Sequence, residues 1–433
     1  MKNIFTKIIS ASLLSSLLLM TTACAGQNGS PSTESDTTAG INKDIVSYRA
    51  VLTADEIAAF PDAFVNGLNQ YGWAAAADLY SDENLAISPA SLELALLMTR
   101  TGAIGETSDE MKAALSMTDL TDEEILSACR QLMWRANTNG MEAANSLWMQ
   151  KDYAFADSFI STSAESFMAD AFGVDFFAAA AGATDAINAW ASDKTHGKIP
   201  EMNPEPLPAD TRLVLINALY FLGDWETPFT AENSYDQVFH GTKEDTSAAF
   251  MHDTHNMLYG ETGTYQIISM PFKGSDDNAD SPYSMAFILP AEGTEITAVM
   301  DELSEKGFTA AVSGMSDEKV QIALPKFEFT FDTSMVNTMK NLGMNLAFED
   351  SAQFDGMTGS ANDLYISDIL HKCYIRVDEE GAEAAAVTEV IMTETSIQID
   401  DNIKTFTADR PFLFAIYDET DNTVLFLGAF AKV

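Results

Sequence analysis

The sequence predicts an α+β fold with mainly antiparallel sheets, and three observations predict it. Helix-like segments fill the first third of the folded region and strand-like segments most of the rest, without the regular alternation that builds a parallel sheet. From about residue 44 to residue 433 no linker, composition break or internal repeat interrupts the chain, so a single domain is expected. A hydrophobic content of 46% in 433 residues supplies a large core.

The elements follow in order. Pro89-Ala90-Ser91 opens an apolar run to Met98 that reads as a buried helix with proline in its first turn. Thr107-Ser108-Asp109-Glu110 and Thr121-Asp122-Glu123-Glu124 each look like a capped helix start. Thr184 to Trp190 begins another helix. Leu213-Val214-Leu215-Ile216 is continuously apolar, as in a central strand buried on both faces. Ser284–Leu289 and Val320–Leu324 are further strands, and Leu413–Tyr417 with Thr423–Phe430 forms a closing hairpin around Asp418–Asn422.

The amino terminus reads as a targeting signal over residues 1–23. Lys2 and Lys7 precede an apolar stretch from Ile8 to Met20, too short to span a bilayer comfortably. Thr21-Thr22-Ala23-Cys24 resembles the lipobox of bacterial lipoproteins, which implies cleavage before Cys24 and a lipid on its sulfur. Residues 24–43 are polar and read as a flexible tether. The expected location is exported, at the cell surface or outside the cell, anchored through Cys24 to a bacterial membrane.

A formal charge of −42 repels phosphate backbones, so no nucleic-acid partner is expected. The helix-like stretch Glu123–Arg135 carries only Arg130 and Arg135 as bases, so heparin-type binding is not expected either. His252-Asp253-Thr254-His255 reads as a surface turn, since no third ligand or supporting shell accompanies its two histidines; no metal and no cofactor are predicted. Cys129 and Cys373 read as two buried free thiols. No nucleophile elbow or phosphate-binding loop occurs, so the chain is not read as an enzyme.

Residues 379–411 carry the strongest functional signal. Glu379, Glu380 and Gly381 lead into a period-two segment. One face is Ala382, Ala384, Ala386, Thr388, Val390 and Met392, small or apolar and uncharged; the other holds Glu383 and Glu389. Its alanine-rich first third is poor strand material, so the segment can be a strand without being compelled to form one.

With this segment, several ordered motifs resemble the serpin family. They are Asn84-Leu85-Ala86-Ile87-Ser88-Pro89-Ala90-Ser91, Thr195-His196-Gly197-Lys198-Ile199, Leu215-Ile216-Asn217-Ala218-Leu219-Tyr220-Phe221, Gly223-Asp224-Trp225-Glu226-Thr227-Pro228-Phe229, Pro325-Lys326-Phe327, Ile369-Leu370-His371-Lys372, Arg410-Pro411-Phe412 and Phe426-Leu427-Gly428. The resemblance implies a serpin fold: three β-sheets, about eight or nine surrounding helices, and an exposed reactive-centre loop over about 381–405. It implies a monomeric suicide inhibitor of a serine protease. The protease attacks the loop and is held as a covalent acyl-enzyme, while residues 382–392 insert as a strand of the main sheet. Gly381 would be the pivot, and Ser88, Asn217 and His371 would form the shutter beneath the sheet.

Counting from Gly381 by the family pattern points to Thr395-Ser396 as the reactive bond, with Met392-Thr393 and Glu394-Thr395 also open. Such residues suit elastase-like or subtilisin-like proteases, because no Arg or Lys lies between Glu379 and Ile403. Two alternatives stay open: a non-inhibitory serpin acting as a cell-surface binding module, and an inhibitor of cysteine proteases.

Overall fold

In the computed structural model, which describes residues 60–138, 141–274, 281–361, 364–382 and 403–433, helices come first and strands later. The chain opens with α1 (Asp62–Leu79), β1 (Leu85–Ile87), α2 (Pro89–Arg100), α3 (Gly105–Ala114), α4 (Asp122–Thr138), β2 (Met141–Gln150), α5 (Asp157–Phe167), β3 (Ala169–Val174) and α6 (Phe176–Lys194). It continues through β4 (Leu213–Phe221), β5 (Gly223–Asp224), β6 (Tyr235–His240), β7 (Asp245–Glu261), β8 (Tyr265–Pro271) and β9 (Tyr283–Pro290). After α7 (Ile296–Lys306) and α8 (Phe308–Ser313) come β10 (Ser316–Pro325), β11 (Phe327–Ser334), α9 (Val336–Asn341) and α10 (Asp355–Thr358). The end is β12 (Leu370–Val377), β13 (Gly381–Ala382), β14 (Lys404–Thr407), β15 (Phe412–Asp418) and β16 (Thr423–Phe430).

Local chemistry starts most helices where the sequence predicts. Ser88 caps α2 by accepting from Ser91 N–H at 3.1 Å, with Pro89 in the first turn. At α4 a reciprocal capping box forms: Thr121 N–H donates to Glu124 Oε2 at 2.7 Å, and Glu124 N–H to Thr121 Oγ1 at 3.3 Å. Two starts differ from expectation. Thr107 lies inside α3, fully buried, its hydroxyl accepting from Gln353 N–H at 3.0 Å. Thr184 lies well inside α6, which begins after Asp175; that carboxylate accepts from Ala178 N–H at 3.0 Å and starts the helix ahead of the alanine run.

Among the described residues only β2–β3 and β10–β14 pair in parallel; every other ladder is antiparallel. The order β1-β16-β15-β9-β8-β7-β10-β14, with β6 on β7, forms one continuous sheet because the long β7 serves two neighbouring layers. Its centre is the core: β9, β15 and β16 are buried at every position. A second layer appears in two parts, β3-β2-β4 and β11-β12, with the short pair β13-β5 at one end.

His252 to His255 belong to β7 rather than to a turn. Alternation along a strand sends the two histidines to opposite faces. His252 stacks on Tyr235 at 3.9 Å, while His255 lies 3.5 Å from Asp253 and edge-on to Phe229. Cys129 and Cys373 are both free and buried, as expected. Arg135 does not offer a base to solvent: it pairs with Asp421 at 2.5 Å and lies 4.1 Å over the Phe60 ring.

Candidate functional site

β4 is apolar along its whole length, yet the expectation of a strand buried on both sides is not met. Only Ile216 and Ala218 are buried; the other seven residues are partly exposed. The reason is positional. On one side β4 pairs with β2, from Met141↔Phe221 to Met149↔Leu213, but among the described residues no ladder joins it to β12. A narrow cleft lies there instead. Leu219, Tyr220 and Phe221 of β4 line one wall and Cys373 to Arg376 of β12 the other, with Ile416 and Phe426 reaching it from the sheet beneath.

The segment after β12 is docked at the mouth of this cleft. Asp378 organises the reversal: its N–H donates to Gly381 O at 3.0 Å, and its carboxylate accepts from Glu380 N–H at 3.0 Å and Gly381 N–H at 3.3 Å. Arg376 holds that carboxylate at 2.5 Å. β13 then pairs antiparallel with β5, Gly381 opposite Asp224 and Ala382 opposite Gly223. Trp225 N–H donates to Glu380 O at 2.7 Å and Phe229 N–H to Glu379 O at 2.9 Å. The indole N–H of Trp225 reaches Asp378 O at 3.0 Å. Ala382, 3% exposed, lines the cleft. Asp378 was not singled out in the sequence, although an aspartate three residues before a glycine is a turn signal, and Trp225 stood there only as part of a family-like motif.

Gly381 serves close approach rather than unusual backbone angles. A Cβ there would fall 2.1 Å from Gly223 O, and its φ is not positive. Glu379 is bound by Lys326 and by the Ser234 hydroxyl, the latter at 2.6 Å. Burial pushes its carboxyl upward, but the hydrogen bonds from Lys326 and Ser234 outweigh this and hold the pKa below the usual carboxylate value.

Ser88 and His371 meet beneath the cleft: Ser88 N–H donates to His371 Nε2 at 3.1 Å, and Cys373 Sγ lies 3.2 Å from the same nitrogen. Nε2 therefore accepts, which places the ring proton on Nδ1. Burial pushes the imidazole pKa down to about 4, against a small opposing effect of Asp332. Asn217 does not join them. Its amide donates to Asn145 Oδ1 at 2.8 Å, and its own oxygen has no partner among the described residues. The expected Asn217–His371 contact is missing because β4 and β12, which carry the two side chains, are not joined. The calls at Cys24, Ala384, Ala386, Thr388, Val390, Met392, Thr395 and Ser396 lie outside the described residues.

A three-stranded half-sheet, a two-stranded half-sheet and a docked hinge between them match a known architecture. The family model described as "Serpin (serine protease inhibitor)" matches residues 67–433. The chain belongs to the serpin family. A serpin-like protein of Thermococcus kodakarensis is 31% identical over 96% of this chain and 97% of its own length. Serpin B6 of Pongo abelii is 34% identical over 81% of this chain and 94% of its own. The crystal structure of the thermophilic serpin tengpin in its native state superposes with a TM-score of 0.75 at 29% identity, over 89% of this chain and 96% of that one. The two half-sheets are thus the main sheet of a serpin, and the α+β serpin fold expected from the sequence is the observed one, with ten α-helices among the described residues.

Proposed function

We propose that this serpin is a suicide inhibitor of serine proteases that works by inserting residues 382–392 between β4 and β12. The observation that carries the reading is the cleft itself, with the hinge already paired at its mouth. An inserted strand would pair with the edges of β4 and β12, which no ladder joins among the described residues. About a dozen ladder hydrogen bonds at roughly 0.5–1.5 kcal/mol each, with burial of small apolar side chains, sum to on the order of 10 kcal/mol. That is comparable with the stability of a whole domain, so the uncut protein is a kinetically held state. The inserting face contains no charge that would be buried unpaired.

In this reading the protease acylates at Thr395, the bond to Ser396 breaks, and insertion carries the acyl-enzyme away before water hydrolyses it. The absence of Arg and Lys around the bond favours elastase-like or subtilisin-like targets. Lipidation of Cys24 would hold the inhibitor at a bacterial surface, with residues 24–43 as the tether. The test is incubation of residues 44–433 with proteases of both kinds. A denaturant-resistant complex and a released carboxy-terminal fragment beginning at Ser396 are expected. Complete loop turnover without complex, for every such protease, contradicts the proposal.

A further inference from the structure

The reversal after β12 has the form of a hairpin turn. Asp378 and Gly381 flank Glu379-Glu380, and Asp378 N–H donates to Gly381 O at 3.0 Å across them. A turn of this length fixes which residues of its two arms stand opposite each other. Continued along β12, an inserted strand that keeps the turn has Ala382 opposite Val377, Glu383 opposite Arg376 and Ala384 opposite Ile375. The pairing on the other side gives an independent register. Gly381 opposite Asp224 and Ala382 opposite Gly223 continue to Ala384 opposite Phe221 and Ala386 opposite Leu219. Directly opposed side chains share a face of the sheet. Val377, Ile375 and Cys373 are buried in the main core, and Phe221 and Leu219 pack against it, whereas Ile216 and Ala218 cluster with Ile187 and Trp190 of α6. Both registers therefore send Ala382, Ala384 and Ala386 inward and Glu383 outward.

On the outer face this register brings the first charge of the incoming segment to a cation. Arg376 stands opposite Glu328 of β11, bonds the Asp378 carboxylate at 2.5 Å and keeps 37% of its side chain exposed. From this we infer that Arg376 is a positioning residue for insertion: the edge of β12 receives residues 382–392 of this chain with Glu383 docked on the Arg376 guanidinium. The inference rests on the inhibitory reading above. A guanidinium carries five N–H donors, so it can hold Asp378 and Glu383 together. Without that cation Glu383 would enter an edge already lined by the carboxylates of Glu328 and Asp378. The same arginine thus serves both states, fixing the turn through Asp378 before the cut and receiving Glu383 after it. A slip of one residue would turn the alanine face outward, and a slip of two would put Glu383 opposite Tyr374, so the Arg376–Glu383 pair marks the register that buries the uncharged face.

The experiment sets the mature protein and its variants against one elastase-like or subtilisin-like protease that the wild type traps. It measures the rate of loop cleavage and the ratio of cleaved to trapped inhibitor. Glu383→Arg and Arg376→Glu each oppose like charges, and each should raise the ratio about two- to five-fold. Arg376→Glu combined with Glu383→Arg restores an opposed ion pair and should bring the ratio back toward that of the wild type. Arg376→Glu combined with Glu389→Arg is the register comparison: residue 389 falls opposite Leu370, so no recovery is expected. Both double variants share whatever the loss of Arg376 does to the turn, so the difference between them reports the pair alone. A wild-type ratio for Glu383→Arg overturns the inference. So does recovery that is absent from both double variants or equal in the two. Each of these results leaves the inhibitory reading standing. Failure of the wild type to trap any protease overturns that reading itself, and this inference with it.

Discussion

Two buried titratable residues make this molecule sensitive to pH in opposite directions. Glu93, on α2, is fully buried and neither carboxyl oxygen has a partner among the described residues. Burial pushes its pKa well above the ordinary value of 4.5, so the folded protein keeps a proton that the unfolded chain has already lost. Its contribution is complete at acid pH. It declines as pH rises beyond about 4.5, by at most about 1.4 kcal/mol per pH unit until the folded form ionises as well. Glu93→Gln removes this slope. Its melting temperature should match wild type near pH 4.5 and exceed it increasingly toward pH 8; a constant difference across that range contradicts the assignment. His371 acts in the other direction, since its folded pKa of about 4 lies below the ordinary 6.5. The neutral ring that accepts from Ser88 is fully stabilising above about 6.5 and is lost as pH falls toward 4, a cost on the order of 3 kcal/mol. Uncut wild type should therefore lose its inhibitory form faster at pH 4.5 than at pH 7, followed as residual trapping capacity over time. Glu93 opposes this at the same acid pH, so the clean comparison is made in the Glu93→Gln background. An unchanged lifetime there would remove His371 from the control of the shutter.

At the scale of elements, the period-two face of residues 382–392 is what makes the loop a conditional strand. Ala386→Arg would put a charge on the side that must enter the sheet, where it cannot be paired. Such a variant should be cut as readily as wild type yet trap almost no protease, measured as the ratio of cleaved to covalently bound inhibitor. Wild-type trapping would mean that insertion does not run through this face. Much of this was legible in the chain. Ser88-Pro89 announced α2, Thr121 and Glu124 announced α4, and the apolar runs of β9, β10, β15 and β16 fell where strands are found. The two helix starts that were misread share a cause: Thr107 and Thr184 are buried side chains bonded to distant or preceding backbone, and a sequence does not distinguish such a threonine from a cap. β4 is more instructive. Its composition is that of a central strand, but its burial is that of an edge, which is what the proposed insertion of a further strand beside it would require. The Asp378 turn is marked by its local spacing, but the Trp225 anchor joins segments far apart in sequence, so no local pattern signals it.

On the proposed mechanism, the two sheet halves are the walls that one inserted strand would join. The upper end is joined through β13, while β4 is paired with β2 and β12 with β11. On the proposed mechanism, insertion would separate the uncut and cut forms by on the order of 10 kcal/mol by the ladder estimate. For a domain of this size that difference should raise the melting temperature by about 12 °C. The most direct measurement is therefore thermal unfolding of residues 44–433 before and after a single cut between residues 392 and 397, with both fragments retained. A rise of that size on cleavage is the expected result. A cut protein that melts where the uncut one does would contradict the account, because the loop would then have no strand position to occupy.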